Sequence, residues 1–387
     1  MIPAMHIAVP SLTALILILT YGHVPALKDF LDTVGDLCPN INRVQIRISP
    51  PHDLCETICS HIRRLTNLQV LDSRGVTFDT DMILYLSERP ALKRLSFTLD
   101  RISPDRVPLS CSVPVFSALG CLETSSRSLE QVMDLLSIIR LPVVEDLNAD
   151  FTAYPLEETF RSYVTTVRNT CPSDALAGLR IRGIGRPRTP LILSTHRLTL
   201  DGVRPCMGFV NLRSIHINLP RWHIDLTDSD LLALVSTWPR IRTLLLNDQW
   251  GWRTTSGITL RGLSRLLQIR PSLSYLCIAI DTESHADLLH EFETGSTGFP
   301  LPSVPLMINL ADSRIRKTED VPGLVDAIWK LGLNTSSFLA WEGIDMEVEE
   351  GDPVHQKHEW SRVFAEVIKG PPSPAGEQDL APIVESG

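Results

Sequence analysis

A pattern of apolar residues with the spacing Leu-x-x-Leu-x-Leu recurs along this chain. Its clearest copies start at Leu212, Ile241 and Leu273, so that successive starts lie 29 and 32 residues apart. Apolar residues that alternate with polar ones indicate a strand with one buried face. The segments between the copies have helical spacing of apolar residues and end at a proline, as at Trp238-Pro239, since proline disfavours helix in the residue before it. The pattern therefore predicts a repeated unit of one strand and one helix.

A strand followed by a helix at a period of roughly 20–30 residues is the signature of a leucine-rich repeat. One unit cannot bury its apolar face alone, so units stack around a continuous core. We therefore predict an α/β leucine-rich-repeat solenoid of horseshoe shape, with parallel strands on the concave face and helices on the convex face. The predicted division is an irregular solenoid over residues 1–333, a capping segment with a helix over 334–369, and a disordered tail over 370–387.

The same pattern places most other elements. Predicted strands cover Leu12–Leu19 and Ile41–Ile48 and begin again at Leu68, Leu92, Val144 and Leu176, with a degenerate strand in Phe116–Leu122, a short one in His196–Leu200 and the last in Leu306–Leu310. Predicted helices are Pro25–Leu37, His52–Arg64, Asp79–Glu88, a helix with a capping box at Ser128 and Gln131, Glu157–Thr170, one starting at Thr227 and Asp230, Ala286–Phe292, Pro322–Leu331, and a C-terminal capping helix with Trp360, Val363, Phe364, Val367 and Ile368 on its apolar face.

The N-terminal stretch Ile7–Leu19 is apolar but spans only 13 residues, whereas a membrane-spanning helix needs about 20. We predict a strand here and no membrane association. Its alternate positions, Ala14, Ile16 and Ile18, are also apolar. Such an edge strand promotes aggregation, so we expect the chain to self-associate through it.

Composition and charge narrow the function. The net charge of −9 does not favour nucleic-acid binding, and eight cysteines without paired spacing favour a reducing cytoplasmic or nuclear location. His52, Cys55, Cys59 and His61 have the spacing of one helix rather than of a zinc site. Since no motif for catalysis is present, we expect no enzymatic activity and no cofactor. Arg180, Arg182, Arg186 and Arg188 are predicted to form a basic loop.

The predicted function is binding of a protein partner on the concave face, where alternate strand side chains point away from the core. The charges run from basic to acidic to neutral along the chain, and charge complementarity specifies protein partners. Two tryptophans in a polar loop join the candidate contact residues, because tryptophan is enriched at interfaces. The alternative is that their rings fold back over a helix. The candidate contact residues are Arg43, Gln45, Arg47, Arg94, Ser96, Asp146, Asn148, Asp150, His216, Asn218, Asn247, Trp250, Trp252 and Tyr275.

The joints between helix and strand resemble those in the leucine-rich regions of fungal F-box proteins. The matching residues are Cys38-Pro39-Asn40-Ile41, Arg89-Pro90-Ala91-Leu92, Trp238-Pro239-Arg240-Ile241 and Arg270-Pro271-Ser272-Leu273. The resemblance implies the substrate-recognition part of a ubiquitin-ligase receptor, whose F-box binds the ligase adaptor. No Leu-Pro-x-Glu-like start of an F-box precedes Ser11, so adaptor binding is expected only if an F-box exists upstream. The alternative is a scaffold or regulatory repeat protein without a ligase role.

Overall fold

A long parallel sheet dominates the computed structural model, which describes residues 11–18, 24–47, 52–99, 113–185, 196–293, 305–333, 338–340 and 353–369. Twelve strands of the described residues pair in chain order, and every pairing is parallel. The strands of this sheet are β1 (Ala14–Ile18), β2 (Arg43–Arg47), β3 (Val70–Phe78), β4 (Arg94–Leu99), β5 (Cys121–Ser126), β6 (Asp146–Phe151), β7 (Gly178–Gly183), β9 (Ser214–Asn218), β11 (Thr243–Leu246), β12 (Tyr275–Cys277), β13 (Met307–Asn309) and β14 (Phe338–Leu339), while β8 (Arg197–Leu198) and β10 (His223–Ile224) form a separate parallel pair.

Helices follow most strands, as the repeat pattern predicts. Consecutive helices pack against each other on one side of the sheet, including the pairs α1–α2, α4–α5 and α7–α8. This alternation gives the α/β leucine-rich-repeat solenoid predicted from the sequence. The helices are α1 (Val24–Leu37), α2 (His52–Arg64), α3 (Thr80–Ser87), α4 (Leu129–Ile138), α5 (Glu157–Thr170), α6 (Leu200–Val203), α7 (Asp228–Thr237), α8 (Leu260–Ile269), α9 (His285–Glu293), α10 (Val321–Lys330) and α11 (Pro353–Ile368).

The core is built from rows of side chains that run across the strands. The register places the second apolar residue of each Leu-x-x-Leu-x-Leu pattern beside its equivalent in the next strand. Each buried aliphatic side chain contributes roughly 1.5–3 kcal/mol of transfer free energy, so the row stabilises the contact between units. Its buried members are Leu15, Val44, Leu71, Leu95, Leu122, Leu147, Leu179, Ile215, Leu244, Leu276 and Ile308.

The proline joints share one turn. In each, the first strand-pattern residue donates its N–H to the carbonyl of the residue before the proline, three positions earlier. The N···O distances are 3.3 Å for Ile41 and Cys38, 3.1 Å for Leu92 and Arg89, 3.2 Å for Ile241 and Trp238, and 3.1 Å for Leu273 and Arg270. Proline suits the second position of such a turn because its φ is already fixed there.

Some predicted elements differ in the structure. Strand β5 begins later than the predicted Phe116–Leu122, because its inward positions include Thr124 and Ser126 and the apolar pattern fades there. Both hydroxyls are instead satisfied by backbone carbonyls, among them Asp150 O at 3.4 Å from Ser126 Oγ. The predicted strand in Leu306–Leu310 is not the last, since β14 pairs with β13. The predicted strand in His196–Leu200 contains β8, which lies outside the main sheet.

Helix caps follow the sequence in part. The side chain of Asp79, at the predicted start of a helix, accepts a hydrogen bond from Met82 N. Thr227 and Asp230 lie at the start of α7, as predicted, and form a complete capping box. The capping box predicted at Ser128 is wrong, because the Ser128 side chain makes no capping bond. The Gln131 side chain instead accepts a hydrogen bond from the N–H of Arg127, the residue before Ser128, at 2.8 Å.

Helix α11 covers the last repeats. It packs on α10, and its Trp360 ring is buried, with Nε1 donating to the carbonyl of Ser313 at 2.8 Å. The Gln356 amide bonds both N–H and C=O of Ile315, at 2.8 and 3.1 Å. Ile368, placed on the apolar face from its spacing, is exposed because it ends the helix. The predicted tail over 370–387 lies outside the described residues. None of the described helices is both long and apolar enough to cross a membrane.

Candidate interaction face

The strand face turned away from the helices carries three rows of side chains, set by the strand register. We call this the concave face. The middle row begins with the apolar Ile16 on β1 and then changes along the sheet, from polar side chains at β2–β7 to apolar ones at β11 and β12. Its members from β2 onward are, in order, Gln45, Asp72, Ser96, Glu123, Asn148, Arg180, His216, Leu245, Cys277 and Asn309.

Glu123 is the centre of an ion-pair network on this face. Its side chain is only 5% exposed, and its Oε1 accepts from Arg180 Nη2 at 2.6 Å and lies 3.3 Å from Arg74 Nη1. Each arginine reaches across an intervening strand, a span of about 9.5 Å at the usual strand spacing. Such a reach needs short side chains in between, and these are Ser96 on β4 and Asn148 on β6.

Asp150 makes a second charged contact beside the first. Arg182 donates to both carboxylate oxygens, from Nε to Oδ1 at 3.1 Å and from Nη2 to Oδ2 at 2.7 Å. This hydrogen bonding raises the pKa of Arg182 above its ordinary value. Arg180 Nε lies 3.9 Å from Asp150 Oδ1, so the two networks join. A guanidinium held by two parallel bonds has a fixed plane and a fixed direction for its remaining N–H groups.

The basic candidates lie at the N-terminal end of the concave face. Arg43, Arg47 and Arg94 are exposed. Gln45 is half-buried and donates to Asp72 Oδ2 at 3.2 Å. Ser96 is completely buried, so the prediction that it is available for contact is wrong: Arg74 and Glu123 meet across its strand.

The acidic candidates differ among themselves. Asp146 is exposed, and its pKa is raised by partial burial and the neighbouring Glu145, against the opposite effect of Arg94. Asn148 is half-buried. Asp150 is buried, and its carboxylate pairs with Arg182 within the sheet. The prediction that it is open for contact with a partner is therefore wrong.

His216 and Tyr275 are partly buried farther along the sheet. His216 Nε2 lies 2.8 Å from Asp248 Oδ1. Partial burial raises the pKa of Tyr275, and Cys277 and Asp248 add to the effect. Asn218, in contrast, is fully buried and donates to Gln249 Oε1 at 2.9 Å, so its prediction as an open contact is wrong. The loop after β11 therefore lies against this part of the face.

Asn247 has a structural role instead of the predicted contact role. It is fully buried with φ +53°. Its Oδ1 accepts from the N–H of Leu219 at 2.6 Å, and its Nδ2 donates to the carbonyls of Leu219, Trp222 and Gly251. One side chain thus fixes two loops.

The predicted exposed contact of Trp250 and Trp252 is also wrong. Both are buried, Trp252 completely, and the Trp252 ring donates to the carbonyl of Leu246 at 3.0 Å. Their loop is anchored by Asp312, whose carboxylate accepts from the N–H groups of Trp252 at 2.6 Å and Arg253 at 2.8 Å. Burial raises the pKa of Asp312, and these two N–H groups oppose the rise. Both rings are therefore folded inward rather than exposed.

Sequence reasoning missed the residues that join the network. Arg180 and Arg182 were predicted in a basic loop but lie on β7, and Arg186 and Arg188 lie outside the described residues. Their alternation across Ile181 was the available signal. The other members of the network carried no such signal; these are Asp72, Arg74, Glu123 and Asp248. Glu123 lies on β5, whose strand pattern is partly polar. Arg74 and Asp248 lie where the backbone of β3 and the end of β11 are irregular.

The helix with His52, Cys55, Cys59 and His61 is α2, as predicted. Cys55 is buried, and burial raises the pKa of Cys59 to about 12. His61 is buried as well. Within the described part of the chain, no group of three or more His, Cys, Asp or Glu side chains could hold a metal ion.

Comparison with known proteins assigns this chain to no family. No protein-family model matches the sequence. The search of curated proteins also gave no match. Among solved structures, the chain is similar to an internalin (inlF) from Listeria monocytogenes, with 13% sequence identity, a TM-score of 0.34, and coverage of 82% of this chain and 83% of the internalin. The fold described above rests on the parallel sheet itself.

Proposed function

We propose that this chain is a non-enzymatic protein-binding repeat protein whose partner lies on the concave face between β2 and β7. The observation that supports this is the network around Glu123 and Asp150, which fixes partly exposed arginines on a rigid sheet. Fixed side chains lose little conformational entropy on binding, so they suit recognition of a partner. We further propose a cytoplasmic or nuclear location.

Site-specific photo-crosslinking in extracts of the source cells tests this proposal. A photoreactive amino acid at Asp146 or Arg94 places the crosslinker on the concave face, and the same residue at Ser162 or Arg265 places it on exposed positions of helices α5 and α8. We expect the same partner protein to be trapped from both concave positions and from neither helix position. Trapping only from the helices, or no trapping at any position, would contradict the proposal.

The finer proposal is the substrate-recognition part of an F-box ubiquitin-ligase receptor. It is supported by the resemblance of the four proline joints, which share one turn. The alternative is a scaffold or regulatory repeat protein without a ligase role. We expect residues 1–387 not to form a one-to-one complex with the purified ligase adaptor, and a longer form with an upstream F-box to do so. A stable complex of residues 1–387 with the adaptor would show that this expectation is wrong.

A further inference from the structure

Apolar and basic side chains meet at the N-terminal end of the concave face. Ile16 and Ile18 on β1 are 57% and 68% exposed. In the strand register they lie beside Gln45 and Arg47 of β2. Arg43, Arg47 and Arg94 are exposed in the same part of the face. We call these five residues, Ile16, Ile18, Arg43, Arg47 and Arg94, the N-terminal patch.

The charge that a ligand meets here is positive, although the whole chain has a net charge of −9. Arg74 adds a fourth exposed guanidinium next to the patch. Two nearby carboxylates are withdrawn: Glu123 is buried, and the Asp72 side chain is 23% exposed and bonded by Gln45 and Arg74. Asp146 is exposed in the row of Arg94, two strands away, and is the one opposing charge at that end of the patch among the described residues. No ion pair of Arg43, Arg47 or Arg94 is formed with any residue in the described ranges, so their charges remain available.

We propose that the N-terminal patch binds an acidic segment of a partner protein that also carries aliphatic side chains. This inference rests on the proposed function and assigns the chemistry of the partner. The aliphatic side chains cover Ile16 and Ile18, and the carboxylates pair with Arg43, Arg47 and Arg94. Arginine is suited to this because its planar guanidinium matches the geometry of a carboxylate.

The spacing of the arginines suits an extended peptide laid across the strands. Arg43 and Arg94 occupy the same row two strands apart, which corresponds to about 9.5 Å. Residues i and i+3 of a polyproline II segment lie about 9 Å apart and point to the same side, because this extended helix has three residues per turn. Acidic side chains at that spacing therefore reach both arginines at once.

Two other occupants fit less well. A second copy of the same patch would set arginines against arginines, and like charges repel. A nucleic acid has no aliphatic side chains to cover the exposed Ile16 and Ile18, whose side chains cannot bond its phosphates. Both become outcomes of the test.

Fluorescence anisotropy with the full chain and labelled twelve-residue peptides tests the inference. The probes contain Glu with Leu, Glu with Ser, and Lys with Leu, and oligo(dT) of twelve nucleotides is the fourth. We expect the affinity for Glu/Leu to exceed that for Glu/Ser at least threefold, with no measurable binding of Lys/Leu or oligo(dT). Light scattering of the same samples reports self-association.

Two variants divide the contributions. R43E/R47E/R94E should weaken Glu/Leu binding at least tenfold, and I16S/I18S should reduce it to the level of Glu/Ser. The matched control R161E/R240E/R265E changes the net charge equally at exposed positions on or beside the helices and should bind like the wild type. Circular dichroism verifies that all three variants are folded.

The inference is overturned if the wild type binds none of the peptides, binds Lys/Leu as well as Glu/Leu, or prefers oligo(dT). It is also overturned if R43E/R47E/R94E binds like the control. One outcome is that a cellular partner is trapped at Asp146 in the wild type and is still trapped there in R43E/R47E/R94E and I16S/I18S. That result would support the proposed function while rejecting this patch as its site. Tight Glu/Leu binding without any crosslinked partner would support the patch as a binding site while contradicting the proposed function.

Discussion

Arg180 on β7 and Glu123 on β5 form an ion pair of 2.6 Å across the intervening strand β6. The two residues are 57 positions apart in sequence. Glu123 also holds Arg74 from the opposite side, at 3.3 Å, so one buried carboxylate joins three repeats. This relationship makes the middle of the concave face a single rigid surface.

Replacing Glu123 with glutamine should weaken that surface. The side chain keeps its shape but loses the charge that two arginines share, and hydrogen bonds to charged groups contribute about 1.5–3 kcal/mol. We therefore expect E123Q to lower the free energy of unfolding by about 1–3 kcal/mol in urea titrations. The control is E145Q, since Glu145 is exposed, and a surface change of this kind costs less than about 0.5 kcal/mol. Equal effects of the two substitutions would contradict the role given to Glu123.

Asn247 should matter more for stability than any other candidate contact residue. Its alanine variant leaves three carbonyls and one N–H without their buried partner and strains a backbone with φ +53°. We expect N247A to cost about 3–5 kcal/mol in urea unfolding. N148A, at a half-buried concave position, should cost less than about 1 kcal/mol. A well-folded N247A with wild-type stability would show that the loops hold without it.

The burial of His61 predicts that the folded protein loses stability in mild acid. This histidine is buried, and burial lowers its pKa below the ordinary value of 6.5, with Arg64 acting in the same direction and Asp32 opposing. The neutral ring is therefore favoured in the folded state. Its contribution is fully present above pH 6.5 and is lost as the pH falls from 6.5 toward the lowered pKa, because the unfolded chain binds the proton first.

We expect H61L to lose less stability than the wild type between pH 7 and pH 5, as measured by thermal or urea unfolding at each pH. The control is H358Q, since the side chain of His358 is 71% exposed, and its loss of stability over the same pH range is compared with that of H61L. An H61L profile parallel to that of the wild type would show that other groups cause the acid sensitivity.

The edge strand β1 predicts self-association of the isolated chain. Ile16 and Ile18 are exposed on it, and β2 is its only strand partner among the described residues. Because Arg43 and Arg47 repel their counterparts in a second copy, association should increase when salt screens them. We expect sedimentation velocity to show larger species at high ionic strength, and I16T/I18T to remain monomeric with unchanged circular dichroism. A monomeric wild type at every salt concentration would contradict this prediction.

The sequence alone determined the repeat, because burial of one strand face leaves a regular apolar pattern that needs no knowledge of neighbours. The apolar pattern predicted the strands that follow Leu212, Ile241 and Leu273, and the proline joints predicted where the helices end. It also determined where α7 starts, since Thr227 and Asp230 lie within one turn of each other.

Only the tertiary structure decided which concave positions are open. Asn218, Asn247 and Trp252 have polar or loop-like sequence contexts, yet each is buried because segments distant in sequence fold over it or bond to it. The pairing of Arg180 with Glu123 likewise depends on strand register across three repeats, which no local pattern encodes. Burial and long-range pairing are properties of the packed sheet. The sequence therefore identified the concave strand face but not which of its side chains are exposed.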